Sequence, residues 1–145
     1  MTFDVQNASG TAGSGYDTIN VTGTSGVLTI SATSGTPFAI SVESINPGTG
    51  LPGLATFNMA QSYQWTLASA TSITGFNASD FTISNGSFAN SLGGGYFSIS
   101  ANANDIFLNF TPVPEPSTWA LIAAGVALVG FAGWRRRPAT AARVR

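Results

Sequence analysis

The sequence is defined first by the residues that it lacks. Cysteine, histidine and lysine do not occur anywhere in its 145 residues. Without cysteine there is no disulfide, no thiol nucleophile and no zinc site of the cysteine type. Without histidine and lysine, a serine or threonine nucleophile has no conventional side-chain base beside it. These absences exclude thiol chemistry and nucleophilic triads.

Positive charge is also missing from most of the chain. The five basic residues are all arginines at or after position 135, and of the six acidic residues five lie in residues 1–112. Those five are Asp4, Asp17, Glu43, Asp80 and Asp105. A surface that binds the phosphates of nucleic acid needs several lysine or arginine side chains. The charge distribution therefore excludes nucleic-acid binding.

The chain instead contains short alternations of apolar and polar residues. Clear examples are Phe38–Ile45, Tyr63–Leu67 and Asp105–Thr111, which are bounded by residues that favour turns. No stretch before Thr118 keeps apolar residues at helical spacing for more than a turn. The pattern predicts about nine strands and an all-β domain over residues 1–112. Because the polar positions are mostly Ser, Thr and Asn, the exterior of this domain is expected to be neutral.

The carboxylates of this domain offer weak sites for chemistry. Asp80 and Asp105 are the best-spaced pair for hydrolysing a glycosidic bond, but both stand at strand starts beside turn residues, where Asp is common. Asp17 and Asn20, together with loop carbonyls, could hold a weakly bound calcium ion, although the chain has no Asp-rich loop. Solvated turn residues are the simpler interpretation of all four.

Four aromatic residues could stack on sugars if they were exposed. They are Tyr16, Tyr63, Trp65 and Tyr96. Trp65 is flanked by Gln64 and Thr66, and this alternation favours a core position for its indole ring.

The C-terminal end combines three segments of different chemistry. Residues 113–118 read Val-Pro-Glu-Pro-Ser-Thr, in which Pro114 and Pro116 fix the backbone on either side of the carboxylate of Glu115. Residues 119–134 form a run that contains no charged residue. As a helix this run would be about 24 Å long, somewhat short of the ~30 Å hydrocarbon core of a bilayer.

The flanks of this run make up the difference in length. Trp119 and Trp134 lie at its two ends, where interfacial tryptophans are found in membrane proteins. The three arginines that follow are Arg135, Arg136 and Arg137. Their long side chains can reach outward to the headgroup region. Since basic residues stay on the cytoplasmic side, the sequence predicts one transmembrane helix over residues 119–134, with residues 135–145 in the cytoplasm and residues 1–118 on the other side.

This tail resembles the PEP-CTERM sorting signal of exported bacterial proteins. The resemblance rests on Val-Pro-Glu-Pro-Ser-Thr-Trp-Ala-Leu, a span rich in Gly and Ala, and three arginines, and it covers residues 113–137. It implies that an exosortase, which is a membrane peptidase, recognises Pro114, Glu115 and Pro116 and processes the tail. It also implies a protein that is exported, anchored in the inner membrane by its C-terminal helix, and then found at the cell surface or outside the cell.

Residues 3–111 carry a second and less specific resemblance. It rests on Tyr16-Asp-Thr-Ile-Asn-Val-Thr-Gly-Thr24, Leu28-Thr-Ile30, Tyr63-Gln-Trp-Thr-Leu-Ala-Ser-Ala70 and Ile73-Thr-Gly-Phe76, which are similar to the last rungs of autotransporter-type β-helix passengers. The resemblance implies that this part forms the C-terminal rungs of a right-handed parallel β-helix. A compact β-sandwich is the alternative fold. Terminal rungs of this kind would leave an unpaired strand edge at their N-terminal end.

Two functions stay open for the whole chain. Residues 1–6 contain neither a basic nor an apolar export signal, so we expect the chain to be the C-terminal piece of a longer exported protein. In the first function it is a structural or adhesive component of the cell surface or extracellular matrix, with an exosortase as partner and extracellular polysaccharide as a further candidate. In the second it is the non-catalytic end of an exported enzyme, for example one acting on polysaccharide. In both, this chain is not itself an enzyme and has no catalytic residue, metal site or cofactor.

Overall fold

The computed structural model describes residues 1–23, 25–114, 121–122 and 124–127. Before Pro114 these residues form β-strands joined by turns, with one 3₁₀ turn at Ala78–Asp80. The strands are β1 (Thr2–Val5), β2 (Ile19–Asn20), β3 (Val27–Thr29), β4 (Phe38–Ser44), β5 (Tyr63–Ser69), β6 (Ser72–Thr74), β7 (Phe81–Ser87), β8 (Tyr96–Ala101) and β9 (Asp105–Thr111). The all-β class that the alternation predicts for this part of the chain is confirmed.

Parallel pairing joins each of the first four strands to the strand three positions later in the chain. Sheet A has the order β1-β4-β7, sheet B contains the pair β2-β5, and sheet C consists of β3 and β6. In sheet A, Phe3 lies beside Val42, and in sheet C, Leu28 lies beside Ile73. Apolar residues of successive strands are therefore stacked in rows on the inner side of the domain.

An antiparallel hairpin completes sheet B. Strand β9 pairs with β5 and with β8 in the antiparallel sense, which gives the order β2-β5-β9-β8. Trp65 of β5 lies opposite Leu108 of β9, and Leu108 lies opposite Ile99 of β8. Strand β9 ends at Thr111 because Pro112 has no N–H with which to continue the ladder. The parallel pairing of β2 with β5 therefore gives way to antiparallel pairing on the other side of β5.

The core lies between the inner faces of sheets A and B. Alternate residues of each strand point into it, as the period of two in the sequence requires. The largest fully buried side chains are Trp65, Phe3, Phe110, Ile40, Ile106, Leu108, Val5, Val42 and Ser44. Ser44 is the polar member, and its Oγ accepts a hydrogen bond of 2.7 Å from the backbone N–H of Ala89. That bond gives the buried hydroxyl oxygen of Ser44 a partner, and a buried oxygen without one would destabilise the fold.

The outer edge of β1 is occupied by the chain's own turn at residues 13–17. The backbone N–H of Asp17 donates to the carbonyl of Asp4 at 3.0 Å, and the N–H of Gln6 donates to the carbonyl of Gly15 at 2.9 Å. The N–H of Asp4 in turn donates to Oδ2 of Asp17 at 3.1 Å. The expectation of an unpaired edge is therefore wrong for β1, because residues 13–17 fold back and use its free backbone groups.

The chain divides into two compact units, Met1–Val113 and Pro114–Arg145. In the second unit, residues 121–122 and 124–127 are helical, and Leu121, Ile122 and Val126 are exposed to solvent. Within the described residues, no helix is both long enough and apolar enough to cross a membrane. Most of the predicted span at 119–134 lies outside those residues, and it stays a prediction.

Candidate functional site

The sorting segment begins directly after the last strand. Pro114 follows β9 by three residues and is exposed, as is Val113 before it. Pro112 and Pro114 each fix φ at about −65°, and a proline favours an extended backbone at the residue before it. The other predicted site residues, which are Glu115, Pro116, Trp119, Trp134, Arg135, Arg136 and Arg137, lie outside the described residues.

The aromatic residues divide into core and surface. Trp65 is only 1% exposed, its Nε1–H donates to the carbonyl of Ala8 at 2.9 Å, and its ring stacks on Tyr63 with centroids 5.5 Å apart. The core position that the alternation favours for Trp65 is confirmed. Tyr16 and Tyr63 are half-buried against the core, whereas Tyr96 is 56% exposed. Of the four aromatic candidates, Tyr96 is the one whose ring is available to a ligand.

Tyr96 borders a neutral polar surface on the outer side of sheet B. We call this surface the amide face, and it consists of Gln64, Tyr96, Ser98, Ser100, Asn109 and Thr111. These side chains point outward because their neighbours in β5, β8 and β9 point into the core. Gln64 Nε2 donates to Asn109 Oδ1 at 3.0 Å, and Asn109 Nδ2 donates to Ser100 Oγ at 2.9 Å. A hydrogen-bonded row of amides and a hydroxyl thus crosses three strands.

The sequence did not indicate this surface, although it did single out Tyr96. The alternation in β8 and β9 showed which residues share a face. It did not show that β5, β9 and β8 are neighbours in that order, and the row of amides depends on this order. The signal was therefore local, whereas the site depends on pairing over long distances along the chain.

Asp80 and Asp105 each hold a local turn. Asp80 ends the 3₁₀ turn that precedes β7, and Asn77 caps that turn by accepting from the N–H of Ser79. Asp105 accepts hydrogen bonds from the hydroxyl of Ser69 and from Nδ2 of Asn102 at the start of β9. Asp80 precedes β7 of sheet A, whereas Asp105 begins β9 of sheet B, and the contacts of each carboxylate are those of turn residues.

A cluster of three carboxylates lies at the outer side of β1. Asp4 and Glu43 are partners in the β1–β4 ladder, and Asp17 reaches the N–H of Asp4 from the covering turn. Oδ1 of Asp4 is buried and has no hydrogen-bond partner among the described residues. The pKa of Asp4 is raised above its ordinary value, first by burial and then by the charges of Asp17 and Glu43. The calcium site considered for Asp17 gains no support, because this carboxylate accepts a hydrogen bond from the backbone N–H of Asp4 in β1.

An apolar cavity of about 280 Å³ opens between the sheets. Its wall includes Met1, Leu28, Phe38, Phe81 and Ile106. Binding sites for small molecules combine an apolar wall with a few convergent polar groups that fix the ligand. The described residues around this cavity place only Thr29 and Ser31 at its edge as polar groups, so it gives no basis for a reaction.

Comparison with known families identifies the kind of signal that the chain carries. Its C-terminal segment is a protein-sorting signal, which indicates an exported protein that is sorted by an exosortase and held transiently at the membrane. The matching family model is the PEP-CTERM protein-sorting motif, at residues 112–137. This range contains the predicted recognition residues and all three consecutive arginines. No curated protein and no solved structure matches the chain. The resemblance of residues 3–111 to autotransporter passengers stays a prediction.

Proposed function

We propose that this chain belongs to a cell-surface or extracellular-matrix protein with a structural or adhesive role. In this proposal Pro114, Glu115 and Pro116 form the exosortase recognition element, residues 119–134 span the inner membrane, and the arginines at 135–137 stay in the cytoplasm. The observation that carries the proposal is the sorting motif at residues 112–137, which follows an all-β domain directly. The arrangement is suited to releasing that domain outside the cell.

We also propose that residues 1–112 are the closing rungs of a right-handed parallel β-helix. Parallel pairing of each of the first four strands with the third strand after it, in three separate sheets, supports this fold. The alternative β-sandwich is built from antiparallel sheets, and the pairing within sheets A and C is parallel throughout. The antiparallel hairpin β8–β9 then acts as the cap that ends the stacking.

The surface of the domain supports an adhesive role over a catalytic one. Its carboxylates are engaged in turns or in the cluster at β1. The outer face of sheet B is neutral except at Asp105, whose carboxylate accepts from Ser69 and Asn102. Extracellular polysaccharide is the partner that such a surface favours. The second candidate function, the non-catalytic end of an exported enzyme, fits the same features, and a catalytic motif in the sequence upstream would favour it.

The membrane topology is tested by a reporter fused after Arg145. We expect a reporter that needs the cytoplasm, such as a fluorescent protein, to be active, and a reporter that needs the periplasm, such as alkaline phosphatase, to be inactive. The matched control replaces Arg135, Arg136 and Arg137 with alanine, which should weaken this preference. Activity confined to the periplasmic reporter in the unaltered chain would contradict the proposed orientation.

The stacking of rungs is tested by an engineered disulfide, which is simple to interpret because the chain has no cysteine. Thr29 and Thr74 are exposed partners in the β3–β6 ladder, and their hydroxyl oxygens lie 3.3 Å apart. Cysteines at these two positions fall within disulfide range and should oxidise within one molecule. The control pairs Thr29→Cys with Thr111→Cys of sheet B and should not cross-link. A reduced Thr29/Thr74 pair under oxidising conditions would argue for the sandwich.

A further inference from the structure

We infer that the amide face binds an uncharged polysaccharide. The inference rests on the proposed adhesive function and deepens it by naming the binding surface and the class of ligand. The face offers two kinds of group that together suit a sugar chain. Tyr96 supplies an exposed aromatic ring, and Gln64, Ser98, Ser100, Asn109 and Thr111 supply amides and hydroxyls. Uncharged hydroxyl groups on a ligand can both donate to and accept from these side chains.

The polar groups of the face are held in place before any ligand arrives. The two hydrogen bonds that join Gln64, Asn109 and Ser100 fix both amide planes relative to the sheet. Fixed side chains lose little conformational entropy when they bind, and this reduces the cost of binding. The three residues lie on neighbouring strands about 4.8 Å apart, so the row runs across the sheet and not along one strand. An extended chain lying on the sheet would meet several of these groups in succession.

The turn before β8 leaves the ring of Tyr96 open. Gly93 and Gly94 have φ of 58° and 84°, a region that favours glycine. Gly95 packs so closely on Phe110 that no side chain would fit there. Three residues without side chains therefore precede Tyr96, and they leave the ring accessible from that side. An exposed tyrosine with few rotatable bonds gives a large contact area at low entropic cost.

Charge decides which class of polymer the face accepts. The amide face itself has no ionisable group apart from the phenol of Tyr96, and residues 1–114 contain no lysine, arginine or histidine. A polyanion would find no side-chain cation here and would be repelled by the five carboxylates of the domain. A polycation would be attracted to the carboxylates, of which Asp4 and Asp17 lie at β1, whereas Asp105 lies at the start of β9, beyond the amide face, and accepts from Ser69 and Asn102. An uncharged glycan is the polymer that this face favours over both.

Affinity electrophoresis of the full chain in detergent tests the inference. The gels contain a soluble β-glucan, a mannan or a galactan as uncharged probes, alginate as the polyanion, or chitosan as the polycation. We expect at least one uncharged probe to retard the protein and alginate to have no effect. Failure of all three uncharged probes, or stronger retardation by alginate or chitosan at low salt, would overturn the inference.

Variants then locate the site. Tyr96→Ala should weaken binding about tenfold by removing the stacking ring, whereas Tyr96→Phe should stay within about twofold of the parent. Gln64→Ala should weaken binding a few-fold, because it breaks the row of amides. The matched control is Thr82→Ala, an exposed change on the outer side of sheet A that should leave binding unaltered.

Equal binding by Tyr96→Ala and the parent, with unchanged circular dichroism, would move the site elsewhere and refute the inference. Exosortase processing is measured on the same variants. If processing is normal and no uncharged glycan binds, the inference fails while the sorting function stands. If the exosortase does not process even the unaltered chain, the proposed sorting function fails.

Discussion

The substitution Asp4→Asn is expected to stabilise the domain at neutral pH. Asp4 lies beside Glu43 in the parallel ladder, and its backbone N–H donates to the carboxylate of Asp17. One of its own carboxylate oxygens is buried without a partner among the described residues. An asparagine removes one of three neighbouring negative charges and supplies a donor that can reach a carboxylate. The backbone N–H of residue 4 keeps its hydrogen bond to Asp17, so the turn at 13–17 should not be disturbed.

The sign of the pH dependence follows from the raised pKa of Asp4. Its ordinary value is 3.8, and burial, then Asp17, then Glu43 move the pKa upward in the folded protein. Between the unfolded and folded values, the native state holds a proton that the unfolded chain has lost, so stability rises as pH falls through that interval. Above the folded pKa of Asp4 this stability is absent. The advantage of Asp4→Asn should therefore be largest near pH 7 and should shrink as the pH approaches 3.8.

The size of the effect is modest because the carboxyl group is half-buried. Like charges that face each other on adjacent strands cost up to ~1 kcal/mol, and an unsatisfied buried oxygen adds to this cost. Allowing for solvent screening, we expect a gain of about 1 kcal/mol in the free energy of unfolding at pH 7. For a domain of this size that corresponds to a rise of about 4 °C in Tm. Melting followed by far-UV circular dichroism from pH 4 to 8 measures it.

The matched control is Asp80→Asn, which removes a carboxylate that lies outside the cluster. It should change the free energy of unfolding by less than ~0.5 kcal/mol at every pH. A loss of stability in Asp4→Asn at pH 7, or a gain that is the same at pH 4 and pH 7, would refute the reasoning about the cluster.

Two further predictions concern packing and are checked by the same melting experiment. Gly75→Ala should destabilise the domain at least twice as much as Gly13→Ala. Both glycines have φ of 75°, so the backbone strain is the same. The new Cβ at position 75 would lie 2.5 Å from the carbonyl oxygen of Ile30, whereas a Cβ at position 13 would meet no atom within 4 Å. Equal losses would show that backbone strain alone sets the cost. Trp65→Phe should lower the free energy of unfolding by about 1–3 kcal/mol, because the buried carbonyl of Ala8 loses its donor and a void replaces part of the indole. A loss below ~0.5 kcal/mol would contradict the core role of Trp65.

Local features of this fold could be predicted from the sequence. The period of two in Phe38–Ser44, Tyr63–Ser69 and Asp105–Thr111 sets which side chains enter the core, because successive residues of a strand point to opposite sides. The end of β9 is also a local feature, because Pro112 has no N–H with which to continue the ladder. The core position of Trp65 followed from its polar neighbours alone.

Contacts between distant segments could not be predicted. Asp4 and Glu43 became neighbours through the register of β1 on β4, and alternation is the same for any register shifted by two residues. The hydrogen bond from Trp65 to Ala8 joins residues 57 positions apart. The amide face likewise exists only because β9 enters between β5 and β8. The sorting tail was predictable because its signal is contiguous and does not depend on tertiary structure.

The most direct test of the central claim is processing by an exosortase. The parent chain and Glu115→Ala are expressed in a host that contains the matching exosortase, and the mass of the exported product is measured. We expect the parent to lose its C-terminal segment, whereas Glu115→Ala should keep it and melt at the same temperature. Val113→Ala, which changes an exposed residue next to the motif, should be processed like the parent. Equal processed fractions for the parent and Glu115→Ala would contradict the role of the motif as the recognition element.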